Sequence, residues 1–454
     1  MNHNRPAPDY ATDAVSDATD DVLTPIEPNA IAPHASTPTK AHATDEAVRL
    51  VACRGCGASG LVTVVDLGLQ PACDHFPVVD AEARQPDPTW PLALVLCTEC
   101  GLAQLSHDSP APEEPLAVES ATLRQHAIDV SARLVERLGL APGTRVREYA
   151  SHHGGSWRDA LGAAGMACLA DASPVGEGDA AGVRAVGGGR GADTEPTEPT
   201  DRKRPNELAD VVVDNMSIIH AEDLQTELGE RVAGLAPGGR LVIEFHQALP
   251  QVRQGQFDSI RHGHPLYFSL SSWRAAVRRF GLEVETAWAE DVFGGCLVAV
   301  ARRGVEPDCA AGSVLRAEAQ ARLGTPEGYA PLARRAHEAG NGLRTLLESE
   351  AAAGRSVAGY GAGSKAVTFL GVAGVDSDLL PVIADLSPGK HGRRIPGTSI
   401  PIISPDELVA RAPDTVVVLT WDIAREVVTD LRRRGLTDAR FVVAQPELRD
   451  VTRM

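Results

Sequence analysis

Cys53-Arg-Gly-Cys56-Gly57 and Cys97-Thr-Glu-Cys100-Gly101 are the two stretches that decide the fold of the first part of this chain. In each, two cysteines are separated by two residues and followed by glycine, so both sulfurs of a pair can face one ion. Two such pairs fill a tetrahedral zinc shell with no open position, which predicts a structural zinc site. Four unrelated cysteines or a disulfide framework are the alternatives. Between the pairs we expect strands near 61–69 and 92–96.

Composition narrows the possible partners. The chain has 454 residues, enough for about three domains. A net charge of −18 argues against nucleic acid or an anionic membrane as a partner. The first residues are polar and acidic, unlike a signal peptide, and no apolar run is long enough to span a bilayer. The eight cysteines then fit a reducing cytoplasm.

The order of predicted elements divides the chain into five parts. These are a disordered acidic tail (1–48), a zinc-binding domain (49–108), an α/β domain (109–303), connecting helices (304–352) and a second α/β domain (353–454). Strands and helices alternate in both α/β domains, which predicts mostly parallel, doubly wound sheets. A Gly-rich and then Thr/Pro/Glu-rich stretch at 175–207 interrupts the first of them, and its composition predicts disorder.

The first α/β domain carries polar residues where predicted strands end. Asp214 and Asn215 end one strand, and Glu244 ends the stretch that begins with Leu235-Ala-Pro-Gly-Gly. Ligands of open α/β sheets bind beyond the carboxyl ends of the strands, so these side chains are candidate ligand contacts. The Pro-Gly-Gly turn alone indicates only the end of a helix.

The densest group of reactive side chains is Arg261-His262-Gly263-His264. Two histidines at i and i+2 lie on the same side of an extended strand, so we expect both to face one cleft. Imidazole is the usual general base near neutral pH. The alternative is that both are polar loop histidines, and a metal site is not expected because no third ligand is nearby in sequence.

The last domain contains a glycine loop followed by basic residues. Gly359-Tyr-Gly361-Ala-Gly363-Ser-Lys365 follows a predicted strand and opens a helix, where backbone N–H groups can approach an anion. Asp385 ends the next strand and could accept a sugar hydroxyl. Lys390, Arg393 and Arg394 add a cluster of cations, which predicts a diphosphate site. A merely solvated basic loop is the alternative.

Taken in order, these motifs resemble the sugar C-methyltransferases of deoxysugar and antibiotic biosynthesis. The resemblance runs from about residue 50 to the C-terminus. Besides the cysteine pairs and the histidines, it rests on Asp66–Pro71, Trp90–Leu105, Leu235–Gly239, Gln256–Asp258, Tyr267–Ser269, Pro396–Thr398 and Trp421. It implies an α/β protein with a small β-rich zinc-binding domain, a central class I S-adenosylmethionine (SAM) methyltransferase domain and a C-terminal Rossmann-like domain that binds a sugar nucleotide.

The resemblance also implies a reaction. A base removes the proton next to the ketone of a nucleotide-linked 4-ketosugar, and the resulting enolate takes the methyl group of SAM. The position of the family's base falls on His264, with His262 and Arg261 as its catalytic neighbours. The implied SAM contacts are Glu148, Ala150, Gly154, Asp171, Asn215 and Glu244. The implied substrate contacts are Tyr267, Gly361, Lys365, Asp385, Lys390, Arg393 and Arg394.

The chain departs from the family pattern mainly around the cofactor. Ala150 replaces a glycine of the cofactor loop, and His153 replaces its aspartate. The acidic residue expected to hold the ribose aligns with Ser173, so Asp171 is two residues early. Arg261 stands in place of the family's tyrosine and could stabilise negative charge on the enolate oxygen.

Three functions fit these observations. The first is a SAM-dependent C-methyltransferase with an altered substrate. The second is an epimerase or isomerase that forms and reprotonates the enolate without SAM, and the third is a non-catalytic sugar-nucleotide-binding protein.

Overall fold

The computed structural model describes residues 47–79, 86–111, 119–151, 154–170 and 207–454. Asp171, His153 and Ser173 lie outside these residues, as do nearly all of the predicted tail and of the predicted disordered insert. Within the described part of the chain, no helix is both long and apolar enough to cross a bilayer.

The zinc-binding part is built from two small antiparallel sheets. Strands β1 (Val48–Arg49) and β5 (His107–Asp108) form a two-stranded sheet. The larger sheet contains β2 (Leu61–Pro71), β3 (Thr89–Cys97) and β4 (Ala103–Leu105). Its fourth strand is β10 (Leu266–Tyr267), which comes from the central part of the chain and pairs with β4. The zinc-binding sheet is therefore completed by the segment that follows the histidine motif.

A six-stranded sheet forms the central part. Its strands are β6 (Arg145–Tyr149), β7 (Ala167–Cys168), β8 (Ala209–Asn215), β9 (Leu235–His246), β11 (Glu283–Glu290) and β12 (Cys296–Arg302), in the order β7-β6-β8-β9-β12-β11. Only β12 runs against its neighbours, so the sheet is mostly parallel. Its helices are α1 (Ala121–Leu138), α2 (Arg158–Ala163), α3 (Leu224–Ala233), α4 (Ala248–Gln254) and α5 (Leu270–Arg278).

Two helices lead to a second six-stranded sheet. They are α6 (Cys309–Gln320) and α7 (Pro326–Ala352). The sheet order is β15 (Ile402–Ile403), β14 (Ile383–Ala384), β13 (Val357–Tyr360), β16 (Thr415–Val418), β17 (Arg440–Val443) and β18 (Arg449–Asp450), of which only β18 is antiparallel. Helices α8 (Ser364–Ala373), α9 (Pro405–Arg411) and α10 (Ala424–Arg433) pack with it.

One buried cluster joins the zinc-binding sheet to the C-terminal part. It contains Leu94 of β3, Phe257 beside the histidine motif, Leu343 of α7 and Ile383 of β14. Because burial of apolar area dominates packing free energy, this cluster fixes the three parts of the chain against one another.

Candidate functional site

The four cysteines of the opening motif come together as predicted. Their sulfur atoms all lie within 4.8 Å of one another. Gly57 and Gly101 adopt φ of 78° and 71°, and each donates its N–H to the carbonyl of the first cysteine in its pair. Gln104 donates a further hydrogen bond of 3.3 Å to the sulfur of Cys53. Four sulfurs on two tight turns fit a structural zinc ion.

Glu148 organises the predicted cofactor loop. At the end of β6 its buried carboxylate accepts hydrogen bonds from the N–H of Trp157 and the hydroxyl of Ser156, both at 2.7 Å. The loop between them, which includes Ala150, passes through Gly154 and Gly155 at φ of 91° and 79°. Such φ values favour glycine and let the backbone approach a ligand closely. The loop lies at the carboxyl end of the sheet, next to β8, where the SAM site was predicted.

The start of α1 covers this loop. Glu119 accepts a 2.8 Å hydrogen bond from the N–H of Gly155, and a Cβ on Gly155 would come within 2.9 Å of the Leu123 side chain. Asn215, at the end of β8, donates from its side chain to the carbonyl of Gly155. Asn215 therefore contacts the loop directly.

Glu244 is a buried carboxylate, and only one of its two oxygens has a hydrogen-bond partner among the described residues. His126 of α1 lies 2.8 Å from its Oε1, whereas Oε2 is buried without a hydrogen-bond partner among the described residues. A buried, unsatisfied carboxylate oxygen is costly unless a ligand donates to it or carries positive charge. The loop, Asn215 and Glu244 together fit a cationic, amine-bearing group such as SAM.

The histidine motif does not form an extended strand. Gly263 has φ of 83°, and His264 donates its N–H to the carbonyl of Arg261, which makes the segment a turn. The two side chains therefore diverge. His262 lies against the zinc-binding sheet, with Nε2 3.3 Å from the Pro91 carbonyl and its ring edge-on to Trp90. The prediction that His262 and His264 face one cleft was wrong, because alternation of sides requires β-strand geometry.

His264 instead lies in a group of three histidines. Its ring centroid is 4.5 Å from that of His220 and 6.1 Å from that of His246. His220 follows β8, and His246 ends β9, so both come from the carboxyl ends of parallel strands. The sequence analysis missed these two residues. The signal was available, because both follow strand ends that had already been singled out at Asn215 and Glu244.

Arg261 links His264 to the other two parts of the molecule. Its Nη2 contacts Nε2 of His264, and its Nη1 contacts the carboxylate of Asp74 and the hydroxyl of Ser364, the latter at 2.8 Å. A guanidinium can only donate, so Nε2 is the acceptor and a neutral His264 ring carries its proton on Nδ1. Tyr267, predicted to contact substrate, is buried and accepts a 2.9 Å hydrogen bond from the N–H of Arg261. Its hydroxyl thus supports the turn.

The glycine loop of the C-terminal part follows β13, as predicted. Gly361 has φ of 98°, and the carboxylate of Asp385 accepts the N–H of Ala362 at 2.8 Å. Lys390 is buried, donates to the Ala362 carbonyl at 2.7 Å and lies 3.6 Å from Asp385. Asp385 and Lys390 therefore hold this loop in place, and their direct contacts with sugar and phosphate stay predictions.

The two arginines of the predicted diphosphate site face the zinc-binding part. Arg394 makes two hydrogen bonds, of 2.5 and 2.6 Å, to the carboxylate of Asp87. Arg393 donates to the Phe76 carbonyl at 2.7 Å. The diphosphate contact predicted at Arg394 is contradicted by its ion pair with Asp87, and both arginines hold two parts of the protein together.

Lys365 is the cation of this region that borders the histidine group. Its Nζ lies 2.9 Å from Asp422, 3.4 Å from the Phe293 carbonyl and 4.9 Å from the centre of the Trp421 ring. Phe293 in turn packs edge-on against His246, with ring centroids 5.6 Å apart. Lys365 thus brings the start of α8 to the same cleft as His264.

Three family models match successive parts of the chain. A zinc binding domain matches residues 53–114, a methyltransferase domain matches 123–287, and a C-methyltransferase C-terminal domain matches 291–446. C-methyltransferase NovU of Streptomyces niveus is 28% identical over 421 residues, which cover 88% of this chain and 96% of the relative. Its three successive parts thus resemble the domains of C-methyltransferases, in the order that the sequence analysis expected.

Solved structures resemble part of this chain weakly. Magnesium protoporphyrin IX methyltransferase of Synechocystis PCC 6803, bound to S-adenosylhomocysteine, is 12% identical, with 42% of this chain and 91% of that chain covered and a TM-score of 0.28. LepI is 11% identical, with 42% and 46% covered and a TM-score of 0.24. These likenesses carry no argument about the fold or the function.

These matches confirm the main predictions about the domains of this protein. The protein combines a zinc-binding domain with the fold of a class I SAM methyltransferase and a C-terminal α/β domain. It is a methyltransferase, for which SAM and zinc are the expected cofactors. The domain limits and the individual site residues remain predictions.

Proposed function

We propose that this C-methyltransferase transfers the methyl group of SAM to carbon in a nucleotide-linked 4-ketosugar, through an enolate. The pairing of His264 with Arg261 is the observation that carries the proposal. The acceptor nitrogen of His264 lies beside the guanidinium donor of Arg261. In a ketone, the C–H that loses its proton lies on the atom next to the carbonyl, so one side chain can face each group. The resemblance of the whole chain to NovU, a C-methyltransferase, supports transfer to carbon.

The proton step uses both side chains. When the ketone oxygen takes an N–H of Arg261, Nε2 of His264 is released and can accept the proton from the adjacent carbon. The C–H electron pair then becomes the enolate, whose negative oxygen the guanidinium stabilises. His220 and His246, on either side of His264, provide polar contacts for the sugar.

The remaining residues bind and orient SAM and the sugar nucleotide. Glu148, Asn215 and Glu244 would hold SAM at the carboxyl ends of β6, β8 and β9. When bound, SAM supplies a methyl group to the enolate carbon and keeps the electron pair of the broken S–CH3 bond. We assign the nucleotide diphosphate to the loop at Gly361 and to Lys365. We assign the reaction to a reducing cytoplasm, in which the cysteines form no disulfides.

Incubation with SAM and a panel of thymidine-diphospho-4-ketosugars, analysed by mass, tests the proposal. We expect a gain of one methyl group on one sugar. In heavy water without SAM, we expect deuterium at the carbon next to the ketone. His264→Gln should lower both rates by about 10²–10⁴-fold, because it removes the base, and should leave nucleotide affinity within about tenfold.

His337→Gln, an exposed change on α7, is the matched control and should retain wild-type rates. Full turnover in His264→Gln would remove the base assignment. Deuterium exchange without any methyl transfer would instead support the SAM-independent isomerase, and the absence of both reactions with every ketosugar would contradict the substrate class.

A further inference from the structure

Asp74 of the zinc-binding domain reaches the proton-transfer centre. It follows β2, and its side chain is 14% exposed. Its carboxylate contacts Nη1 of Arg261 and accepts a hydrogen bond from the hydroxyl of Ser364, at the start of α8. Three parts of the chain that are far apart in sequence thus meet around one carboxylate.

Because of the shape of the guanidinium, the contact with Asp74 also affects how Arg261 faces His264. A guanidinium is planar and rigid, so fixing Nη1 also fixes the direction in which Nη2 donates. With Nη1 held by Asp74 and Ser364, Nη2 points at Nε2 of His264. The carboxylate also balances the charge of Arg261, which is 7% exposed and would otherwise be a costly buried cation.

We propose that Asp74 is a positioning residue that holds Arg261 in register with His264, so that the zinc-binding domain supplies part of the proton-transfer centre. The inference rests on the proposed function for its catalytic meaning, but the positioning itself is a property of the folded protein. In this role Asp74 acts through Arg261, whose guanidinium it contacts.

Asp87 provides a matched control. It also lies in the zinc-binding domain and also pairs with an arginine of a later domain, Arg394, but neither of these residues contacts His264. Asp74→Ala and Asp87→Ala therefore each remove one carboxylate from an interdomain ion pair. They differ in whether the partner arginine donates to His264.

We expect Asp74→Ala to lower kcat for methylation and the rate of deuterium exchange by about 30–100-fold, since a displaced guanidinium no longer aligns with the reacting atoms. KM should change by less than about threefold. Asp74→Asn, which keeps one acceptor oxygen, should recover part of the loss. Asp87→Ala should stay within about threefold of wild type, and an equal loss in both alanine variants would overturn the proposal.

A second measurement does not depend on turnover. In ¹⁵N-labelled protein, the His264 ring can be assigned by its absence in His264→Gln. Wild type should show an unprotonated Nε2 that accepts a hydrogen bond, and Asp74→Ala should show a mixture of tautomers. An unchanged tautomer in Asp74→Ala would overturn the positioning role, even if no ketosugar proves to be a substrate.

Discussion

Asp258 shows how burial controls a single carboxylate near the site. It lies in the sequence motif just before the histidines and is 1% exposed. One oxygen accepts a 2.9 Å hydrogen bond from the Trp421 indole, and the other has no partner among the described residues. Burial raises the pKa of Asp258 from 3.8 to about 6, although Lys365 and Trp421 oppose the shift.

A pH dependence of stability follows. Because the folded-state pKa is raised, Asp258 stabilises the fold most at low pH, and this contribution is lost as pH rises from about 4 to about 6. Asp258→Asn stays neutral, so above pH 6 its free energy of unfolding should exceed that of wild type by up to about 3 kcal/mol. Urea unfolding at pH 4 and pH 7.5 checks this. Parallel pH curves for the two proteins would contradict it.

Arg231 and Asp214 form a buried pair beneath the cofactor loop. The guanidinium is 2% exposed, donates to Asp214 and lies 4.3 Å from the centre of the Tyr149 ring. Removing one partner leaves an uncompensated charge, so Arg231→Met should lower the free energy of unfolding by about 3–5 kcal/mol. The double variant with Asp214→Asn should recover part of this loss in denaturant titrations. A loss in the double variant equal to the sum of both single losses would show that the pair is not coupled.

For single residues, the sequence predicted the role of a side chain correctly where its partners are close in sequence or where a ligand imposes a fixed geometry. The four cysteines belong to this class. Arg394 does not, because its partner Asp87 is 307 residues away in sequence. A basic cluster beside a glycine loop looks the same in sequence whether it binds an anion or a distant carboxylate.

Among the elements, the start of helix α5 is stabilised by a side chain of helix α6. Glu318, on α6, accepts the N–H groups of Leu270 and Ser271 in the first turn of α5, at 2.8 and 2.9 Å. These are N–H groups that a helix start leaves without intrahelical partners. Burial raises the pKa of Glu318 even though these donors favour its charged form.

Glu318→Ala should therefore destabilise the protein. It removes the acceptor of two N–H groups, of which that of Leu270 is buried and that of Ser271 partly so, and we therefore expect a loss of about 2–4 kcal/mol in the free energy of unfolding. Glu318→Gln, with one acceptor oxygen, should lose about half as much. Glu327→Ala, an exposed change in the first turn of α7, is the control for thermal and urea unfolding. An equal midpoint for Glu318→Ala and wild type would rule out this role for Glu318.

Element predictions were good where periodicity is strong and poor at turns. The strands expected near 61–69 and 92–96 lie within β2 and β3. The turn at Gly263 was missed because the i, i+2 spacing of the two histidines was interpreted as a strand, although glycine between them permits a positive φ.

For the whole molecule, the zinc site should control both stability and catalysis. Cys53 precedes β2 and Cys97 ends β3, so the zinc ion would join the two ends of this part of the sheet. Asp74 and Asp87 lie between β2 and β3 in sequence. We expect one zinc per chain by elemental analysis. Removal with a strong chelator, or Cys97→Ser, should lower the melting temperature and abolish methylation, and zinc should restore both in the chelated protein.

Cys309→Ser is the control for the cysteine variant, because Cys309 is exposed and lies outside the four-sulfur cluster. It should keep its zinc, its melting temperature and its activity. Full activity after complete loss of zinc would show that the zinc-binding domain keeps its arrangement without the metal.

The strand Leu266–Tyr267 has a consequence for the engineering and evolution of this protein. Since it completes the zinc-binding sheet from within the central part of the chain, a cut between the two would leave an open sheet edge on one fragment and an unpaired strand on the other. A chimera that exchanges the zinc-binding domain alone would have to match a foreign edge to this strand. We therefore expect these two parts to be inherited, and to be transplanted successfully, only as one unit.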